Sequence, residues 1–374
     1  MNPTLDNVWN DYRLLDSEDF TVPKNVRLIS HENIAVVSGI HVDRINPNSF
    51  VKLFKWFSPL FSFFYVLQLL LAADRNTVVI VNGGSTLWLY FGYINRFFFR
   101  SRKTLLLWDV FVEYHLGVEK RLRFFPLIKV KTSWKECIAK NSLRGFDIAV
   151  HWSKKQVGTH AKWFGLPERL FIFLPFKANH SKNPEYDIPM DDFLFAGGNG
   201  KRDYATLVEA VRGTNIPVII SATDPRVRKT IGVLPNVIVL GAPEPAFAQL
   251  QAASRLIVIP MIDSGLKGGG EANFCNAMWH RKPVIAVDNM AAEDYIVEGE
   301  TGYIVPCGDS QLLKQRILEL WNDPKKCREM GEKGHEHVLK NFTHEKFIRR
   351  LVRLALILGD EKVNSKVANE NNDA

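Results

Sequence analysis

The stretch that most restricts the fold of this chain runs from Gly268 to Asp288, with the sequence GGGEANFCNAMWHRKPVIAVD. Three glycines precede a helical pattern at residues 271–280, and an apolar strand pattern follows at residues 284–287. Glycine lets a ligand approach the main chain, and the start of a helix offers unpaired N–H groups and the positive end of the helix dipole. This order therefore predicts the edge of a parallel α/β sheet that binds a phosphate-bearing ligand.

Size and composition narrow the class of protein. With 374 residues, the chain exceeds what one hydrophobic core usually fills, so two domains are expected. An apolar fraction of 46% and a charged fraction of 24% are typical of a folded globular protein. The net charge of +8 suits a phosphorylated substrate or an anionic lipid. Because no run of five basic residues occurs, no nucleic-acid partner is predicted.

The cysteines and the first residues indicate the compartment. The four cysteines (Cys137, Cys275, Cys307 and Cys327) lie far apart, without CxxC or Cys/His spacing. They predict neither a disulfide framework nor a metal site, and a reducing cytosol is the simpler interpretation. The first residues, MNPTLDNVWNDYRLLDSEDF, are polar and acidic, the reverse of the basic start of a signal peptide. A cytoplasmic protein is therefore expected.

Apolar strand patterns alternate with helical patterns along both halves, as in βαβ units. The predicted strands are 34–38, 77–81, 105–107, 148–150 and 171–174, then 193–196, 217–221, 237–240, 256–260 and 284–287. The predicted organisation is an N-terminal domain at 1–177, a polar linker at 178–191 and a C-terminal domain at 192–342. A helix at 343–359 that can cross back to the first domain and a disordered polar tail at 360–374 follow.

The segment Phe57–Ala73 has two interpretations. It carries no charge over seventeen residues, but spanning a bilayer needs ~20, and polar residues interrupt it. A buried core helix is one interpretation. The other is a helix in the membrane interface, with Lys52 and Lys55 nearby, which would make the protein peripheral on the cytoplasmic face of the membrane.

Strand ends locate the predicted site. In parallel sheets, ligands bind at the carboxyl ends of the strands, and a cleft between two such domains would collect these ends. The residues at these ends are Asn82, Gly83 and Gly84, Asp109, Gly197 and Gly198, and Gly268, Gly269 and Gly270.

Four stretches resemble a known family, the retaining GT-B glycosyltransferases of family 4. They are FLFAGG at 193–198 followed by Arg202-Asp203 and Thr206-Leu207, NAMWHRKPVIAVD at 276–288, EDYIVEGETGYIV at 293–305, and the segment 153–175 with FGLPER inside. The likeness is specific across roughly residues 150–345. It implies an α/β fold of GT-B architecture, with two Rossmann-like domains facing a central cleft. It also implies a hexosyltransferase that retains the anomeric configuration and needs no metal or cofactor.

The resemblance also implies partners and roles. The donor is expected to be a UDP- or GDP-sugar, and the acceptor a polysaccharide or a lipid-linked oligosaccharide. Arg202 lies where the family places a basic residue on the diphosphate, with Lys267 as an assistant. Asp109 follows a strand, where the family often has a residue facing the donor sugar; a helix N-cap is its alternative role. Asn82, Gly83 and Gly84 are expected to form the acceptor-side loop.

The family's pair of glutamates is altered in this chain. Asn276 stands at the second position and Gly268 at the first. Asn276 can still donate and accept hydrogen bonds to ribose hydroxyls. Glu271 is the acidic candidate of the loop and can face the donor sugar by a shifted register, or it can simply complement the helix dipole. The predicted catalytic residues are therefore Asp109, Glu271 and Arg202, and the donor site comprises Gly197, Gly198, Arg202, Lys267, Gly268, Gly269, Gly270, Glu271 and Asn276.

Two other functions stay open at this point. One is a different enzyme on the same fold, an inverting glycosyltransferase or a nucleotide-sugar epimerase. The other is a catalytically inactive module that binds nucleotide sugars, which the altered glutamate pair motivates.

Overall fold

The structure, a computed structural model, consists of two compact units, each built on a parallel sheet. It describes residues 2–34, 40–109, 132–182, 192–225, 227, 234–262, 265 and 269–372. The first unit comprises Met1–His151, Val157–Leu174 and Ile348–Ala374, and the second comprises Trp152–Gln156 and Pro175–Phe347. The predicted class of two Rossmann-like α/β domains is confirmed.

The sheet of the first unit has the strand order β2-β1-β3-β4-β5-β6, with parallel neighbours throughout. Its strands are β1 Arg27–Ser30, β2 Asp43–Arg44, β3 Thr77–Asn82, β4 Thr104–Trp108, β5 Ile148–His151 and β6 Phe171–Phe173. Apart from their last residues, β3 and β4 are buried along their length, which explains their continuous apolar runs. Four of the five strands predicted here are confirmed.

Strand β1 was not predicted, and the predicted strand at 34–38 is not tested. Residues 35–39, most of the predicted strand at 34–38, lie outside the described residues. The observed β1 instead pairs Leu28 with Val78 and Ile29 with Val79. The run RLIS is half polar, so by local pattern it is a weaker strand candidate than the apolar run IAVVS. Its pairing with β3 identifies it as a strand.

The helices of the first unit cover its sheet. They are α1 Leu5–Asn10, α2 Ser49–Lys52, α3 Ser58–Ala72, α4 Leu87–Phe97 and α5 Thr132–Leu143; α6 Lys154–Phe164 begins in the second unit. Helix α3 buries Tyr65, Val66 and Leu69 in the same apolar cluster as strand residues Val79 and Val81. One face of the segment Phe57–Ala73 is therefore core. Within the described ranges, no helix has both the length and the apolar character needed to cross a membrane.

The second unit repeats this construction with the strand order β12-β11-β10-β7-β8-β9. Its strands are β7 Leu194–Gly197, β8 Val218–Ser221, β9 Val237–Leu240, β10 Leu256–Ile259, β11 Val284–Val287 and β12 Gly302–Val305. Its helices are α7 Tyr204–Val211, α8 Ala246–Ala253, α9 Glu271–Trp279, α10 Ala292–Tyr295, α11 Ser310–Asn322 and α12 Pro324–Asn341. The strands predicted in this half are confirmed to within a residue at each end.

The C-terminal tail corrects a prediction. Residues 360–374 are predicted to be disordered, but the last helix, α13 His344–Asn372, continues through this polar segment. Contacts within the first unit hold it there: Glu361 Oε1 accepts from the Leu5 amide at 2.7 Å, and Lys362 Nζ lies 2.7 Å from Asp147 Oδ1. A polar composition is typical of disordered tails. Here two of the polar side chains, Glu361 and Lys362, instead bind Leu5 and Asp147 of the first unit.

The predicted linker is partly described. Asn179–Lys182 forms a short 3-10 helix, and Ala178 N donates to Phe342 O at 2.7 Å within the second unit. The remainder of the predicted linker, residues 183–191, lies outside the described residues.

Candidate functional site

In the second unit, the site is built on the loop that follows β7. The Gly198 amide donates to Ser221 O at the end of β8 (3.0 Å), and its carbonyl accepts from the Tyr204 hydroxyl (2.5 Å). Asp203 caps α7, since its Oδ1 accepts from Thr206 N at 3.1 Å. Hydrogen bonds at Gly198 and Asp203 thus fix both ends of the loop between β7 and α7, and Arg202 lies in this loop.

The Arg202 guanidinium folds back onto the main chain of this loop. Nε donates to Gly197 O (3.1 Å) and Nη1 donates to Gly200 O (2.7 Å), while Nη1 also contacts Met261 Sδ. Its partners in the described part of the chain are thus two main-chain carbonyls and a thioether, and no carboxylate lies within ion-pair distance. A guanidinium held by neutral oxygens keeps its positive charge available for an anion.

Gly198 provides the room for this arrangement. Its φ is +116°, in the region that favours glycine, and a methyl group there would lie 2.9 Å from Arg202 Nη2. The glycine predicted to let phosphate approach therefore also makes space for the arginine side chain.

The start of α9 forms the second side of the site. Gly270, with φ of +91°, precedes the helix, and Glu271 is buried in its first turn. Gly269 O accepts from Asn289 Nδ2 at 2.8 Å, and Asn289 Oδ1 accepts from the amide of Ala291 at 2.8 Å. Asn289, which follows the strand β11 and was not predicted, ties the glycine loop to α10. Lys267 and Gly268 lie outside the described residues.

Electrostatics connect these two sides. Burial lowers the pKa of the Arg202 guanidinium, and the Tyr204 and Glu271 side chains oppose that shift. Burial also raises the pKa of the Cys275 thiol and the Tyr295 hydroxyl, with the Glu271 carboxylate as the second cause in each. The structure thus brings Arg202 and Glu271 within electrostatic reach of each other, at one edge of the sheet.

Asn276 lies in a different environment. It is buried, its Oδ1 accepts from the His180 amide at 3.2 Å, and its Nδ2 lies 3.4 Å from His180 Nε2. His180 Nδ1 is 2.8 Å from His280 Nε2, and its Nε2 is 3.3 Å from Glu244 Oε1. Asn276, which was predicted to bind ribose, therefore already contacts a polar cluster with His180, and the sequence spacing carried no sign of it.

This cluster predicts a pH dependence of stability. Burial, followed by His180, Lys282 and His335, lowers the pKa of His280 to about 3, against ~6.5 in an unfolded chain. Between these values the unfolded state binds a proton that the folded state does not. Stability therefore falls as pH falls through this window, by at most about 1.4 kcal/mol per pH unit, and this group adds no dependence above it.

Urea unfolding at about pH 7 and about pH 5 measures this effect. The loss of unfolding free energy on acidification is expected to be smaller in His280→Gln than in the wild type. Equal losses in both proteins would contradict the assignment to His280.

In the first unit, a second group forms at the ends of β3 and β4. Asn82 Oδ1 accepts from Gly84 N (2.7 Å), and Gly83 N donates to Trp108 O (2.7 Å). A methyl group on Gly84 would lie 3.4 Å from Asp109 Oδ2. Asp109 has a φ of +64°, a sparsely populated conformation for a residue other than glycine. The four residues predicted in this domain are thus brought together; the helix that Asp109 would cap lies outside the described residues.

His31 and Glu32 join this group and were missed. Asn82 Nδ2 donates to Glu32 Oε2 at 2.7 Å, and among the described residues neither nitrogen of the buried His31 imidazole has a hydrogen-bond partner. His31 Nε2 lies 3.7 Å from Glu32 Oε1; burial lowers the pKa of His31, while Glu32 opposes the shift. The sequence did contain a sign of these residues, a polar pair directly after RLIS. It was overlooked because the strand was predicted at 34–38, after the pair and not before it.

Gly83 offers a stability test of this loop. A methyl group there would lie 2.2 Å from Asp109 O, a main-chain atom that cannot move alone. Gly83→Ala is expected to lower the free energy of unfolding by about 1–3 kcal/mol through this overlap. Urea unfolding measures it, with Gly200→Ala as control because no atom of the described residues lies within 4 Å of a methyl group there. Equal stability of Gly83→Ala and wild type would contradict the close approach.

Comparison with known proteins adds to this geometry. Residues 202–323 match the family model described as Glycosyl transferases group 1. The match begins at Arg202 and includes Glu271 and Asn276. The chain is also similar to trehalose synthase of Pyrococcus horikoshii, with 33% identity over 129 residues, 34% of this chain and 29% of that protein. The chain spans 21–37% of the lengths of the curated relatives it matches.

Solved structures are similar over most of the chain. Sucrose-phosphate synthase from Thermosynechococcus elongatus has a TM-score of 0.56 at 15% identity, covering 89% of this chain and 83% of that one. Anabaena HepE in complex with UDP has a TM-score of 0.52 at 14% identity, covering 89% and 86%. At these identities the likeness is one of fold, and it agrees with the predicted GT-B class.

Proposed function

We propose that this protein is a glycosyltransferase that moves a hexose from a UDP- or GDP-sugar to a polysaccharide or lipid-linked oligosaccharide, with retention of anomeric configuration. The observation that carries the proposal is the Arg202 guanidinium, held by two main-chain carbonyls beside the glycine-led start of α9. The match of residues 202–323 to the glycosyltransferase family model and the UDP complex of HepE support it.

The chemistry explains why this arrangement suits the reaction. When the bond between the anomeric carbon and the diphosphate breaks, negative charge builds up on the leaving oxygen. A fixed guanidinium and the N–H groups at a helix start stabilise that charge without reorganising. In the proposal, Arg202 binds the diphosphate, and Gly197, Gly198, Gly269 and Gly270 let it approach the main chain. Lys267 and Gly268, outside the described residues, stay proposed donor-binding residues.

The other predicted residues take the sugar and the acceptor. The buried Glu271 carboxylate is proposed to face the donor sugar, and Asp109 to face it from the first domain. Asn82, Gly83 and Gly84 are proposed to bind the acceptor, together with His31 and Glu32. Asn276 is proposed to reach ribose only by exchanging its contacts with His180.

Product release tests the proposal. The full chain is incubated with a panel of UDP- and GDP-sugars and with saccharide and lipid-linked acceptors, and release of UDP or GDP is measured. Turnover with a product of the donor's own anomeric configuration by NMR is expected. An inverted product would remove the retaining part. Nucleotide binding, seen as a raised melting temperature, without turnover would favour an inactive binding module.

Metal removal gives a separate prediction. Since the proposal assigns charge stabilisation to Arg202 and main-chain N–H groups, excess EDTA is expected to leave the rate unchanged within about twofold. Release of nucleotide is measured before and after chelation and after Mg²⁺ is added back. Loss on chelation with recovery on Mg²⁺ addition would contradict a metal-independent reaction.

The proposed location is the cytoplasm, with peripheral contact to the cytoplasmic face of the membrane. Helix α3 supplies its buried face to the core, yet Leu60 and Leu71 on the same helix are exposed at 41% and 65%. An acceptor carried by a lipid would require the enzyme to work at the bilayer surface.

A further inference from the structure

A strip of aromatic rings runs over the surface of the first unit. Its rings are Phe50, Phe54, Phe64, Phe63 and Phe98, and we call these rings, together with the exposed Leu53 and Trp56 of the same segment, the aromatic strip. Successive ring centroids are 5.3 Å, 4.6 Å, 5.4 Å and 6.2 Å apart. The contacts therefore link the chain around α2, helix α3 and the residue after α4 in one row of rings, which is exposed at Phe50 and Phe98 and half-buried between them.

Large apolar side chains extend this strip into solvent. Trp56 is 96% exposed, Leu53 73% and Phe98 65%. Phe50, Phe97 and Tyr93 are also exposed. Single exposed apolar residues need no explanation, but a contiguous group of this size marks an interaction surface.

The chain segments that carry the strip are rich in basic residues. Residues 45–108 contain seven basic residues (Lys52, Lys55, Arg75, Arg96, Arg100, Arg102 and Lys103) and a single acidic one, Asp74. Lys52, Lys55, Arg100 and Arg102 are exposed. The Arg96 guanidinium lies 5.3 Å from the Phe97 ring, so its stem and charge lie beside the aromatic surface. The partner of this surface must accept both aromatic rings and positive charge.

We propose that the aromatic strip and its basic flank dock onto the surface of an anionic lipid bilayer. Aromatic rings and leucine enter the region between headgroups and acyl chains, while lysine and arginine reach the lipid phosphates. A second copy of this chain would place equal positive charges opposite each other, which disfavours self-association through this face. The inference deepens the membrane contact of the proposed function by assigning its surface and its lipid chemistry.

Helix α4 connects this surface with the predicted acceptor side. The helix begins at Leu87, shortly after the loop Asn82–Gly84, and ends at Phe97, beside the strip. Its eleven residues span about 16 Å. A bilayer contact at one end would hold the loop at the other end within reach of the headgroup of a lipid-linked acceptor.

Vesicle co-sedimentation of the full chain tests the proposal. The wild type is expected to bind phosphatidylcholine vesicles that contain phosphatidylglycerol, less so at high salt, and to bind pure phosphatidylcholine weakly. The double variant Leu53→Ser/Trp56→Ser is expected to bind about tenfold or more weakly. Lys52→Gln/Lys55→Gln is expected to lose about fivefold per charge.

Matched controls lie outside the strip. Ile238→Ser removes an exposed apolar side chain in the second unit, and Lys325→Gln removes an exposed charge there; both are expected to bind like the wild type. Equal binding of strip variants and wild type, or no wild-type binding to anionic vesicles, would overturn the proposal. A change in sedimentation mass of Leu53→Ser/Trp56→Ser without a change in vesicle binding would assign the strip to self-association instead.

The assay separates this proposal from glycosyl transfer. Vesicle binding needs no donor, so it can fail while nucleotide release with a water-soluble saccharide acceptor persists. The strip variants are expected to keep that release and their melting temperature, because the substituted side chains are exposed.

Discussion

Replacing Arg202 by alanine is expected to reduce donor-dependent release of UDP or GDP by about 10²–10³-fold. The guanidinium lies at the predicted diphosphate position, where negative charge develops in the transition state. Removing it removes stabilisation of that charge, so the rate constant of the reaction falls. Because Arg202 also donates to Gly197 O and Gly200 O, the loop loses two hydrogen bonds as well. The rate at saturating donor and the melting temperature are therefore measured together.

Two further variants separate charge from structure. Arg202→Lys keeps the charge without the fork of donors and is expected to retain more activity than Arg202→Ala. Arg212→Ala removes an exposed arginine of the same unit, paired with Glu209 at 2.8 Å, and is expected to leave release unchanged. Full activity of a folded Arg202→Ala protein would remove the observation on which the proposed function rests.

The second large effect is on stability and concerns Arg350. Its buried guanidinium lies on Asp16, with Nε 2.9 Å from Oδ1 and Nη2 2.5 Å from Oδ2, and so ties α13 to the N-terminal part of the first unit. Removing Arg350 leaves the Asp16 carboxylate without its partner, but Asp16 is 26% exposed, so water compensates part of the loss. Arg350→Met is expected to lower the free energy of unfolding by about 1–3 kcal/mol.

Urea unfolding of the full chain measures this loss. Lys325→Met serves as the matched control, since Lys325 is exposed and its contact with Glu329 is 3.8 Å; about 0–1 kcal/mol is expected there. A loss in Arg350→Met no larger than in the control would show that the pair does not hold α13 in place.

Much of the second unit could be predicted because its signals are local. The runs at β10 and β11 are buried along their length, so their continuous apolar character reports their position directly. Arg202 was identified through the family resemblance, and Glu271 as the acidic residue of the glycine loop that can take the role of the family's altered glutamate. Their proximity follows from the parallel order of β7 and β10.

Other site residues depend on contacts between distant segments. Asn276 was expected to face ribose, yet its orientation is decided by His180, ninety-six positions away. His31 and Glu32 were missed because β1 is recognisable only through its pairing with β3. The polar pair after RLIS was the only local sign of His31 and Glu32, and no local pattern indicates the contact of Asn276 with His180.

By itself, the sequence determined two parallel α/β domains and the glycine loops at their strand ends, because periodicity and turn chemistry act over a few neighbouring residues. Tertiary structure alone decided that Asn276 contacts His180, that a helix continues through polar residues 360–372 with contacts at Glu361 and Lys362, and that rings from distant segments form the aromatic strip. Each of these outcomes depends on contacts between segments that are distant in the sequence. Such contacts contribute free energy only when the segments pack together.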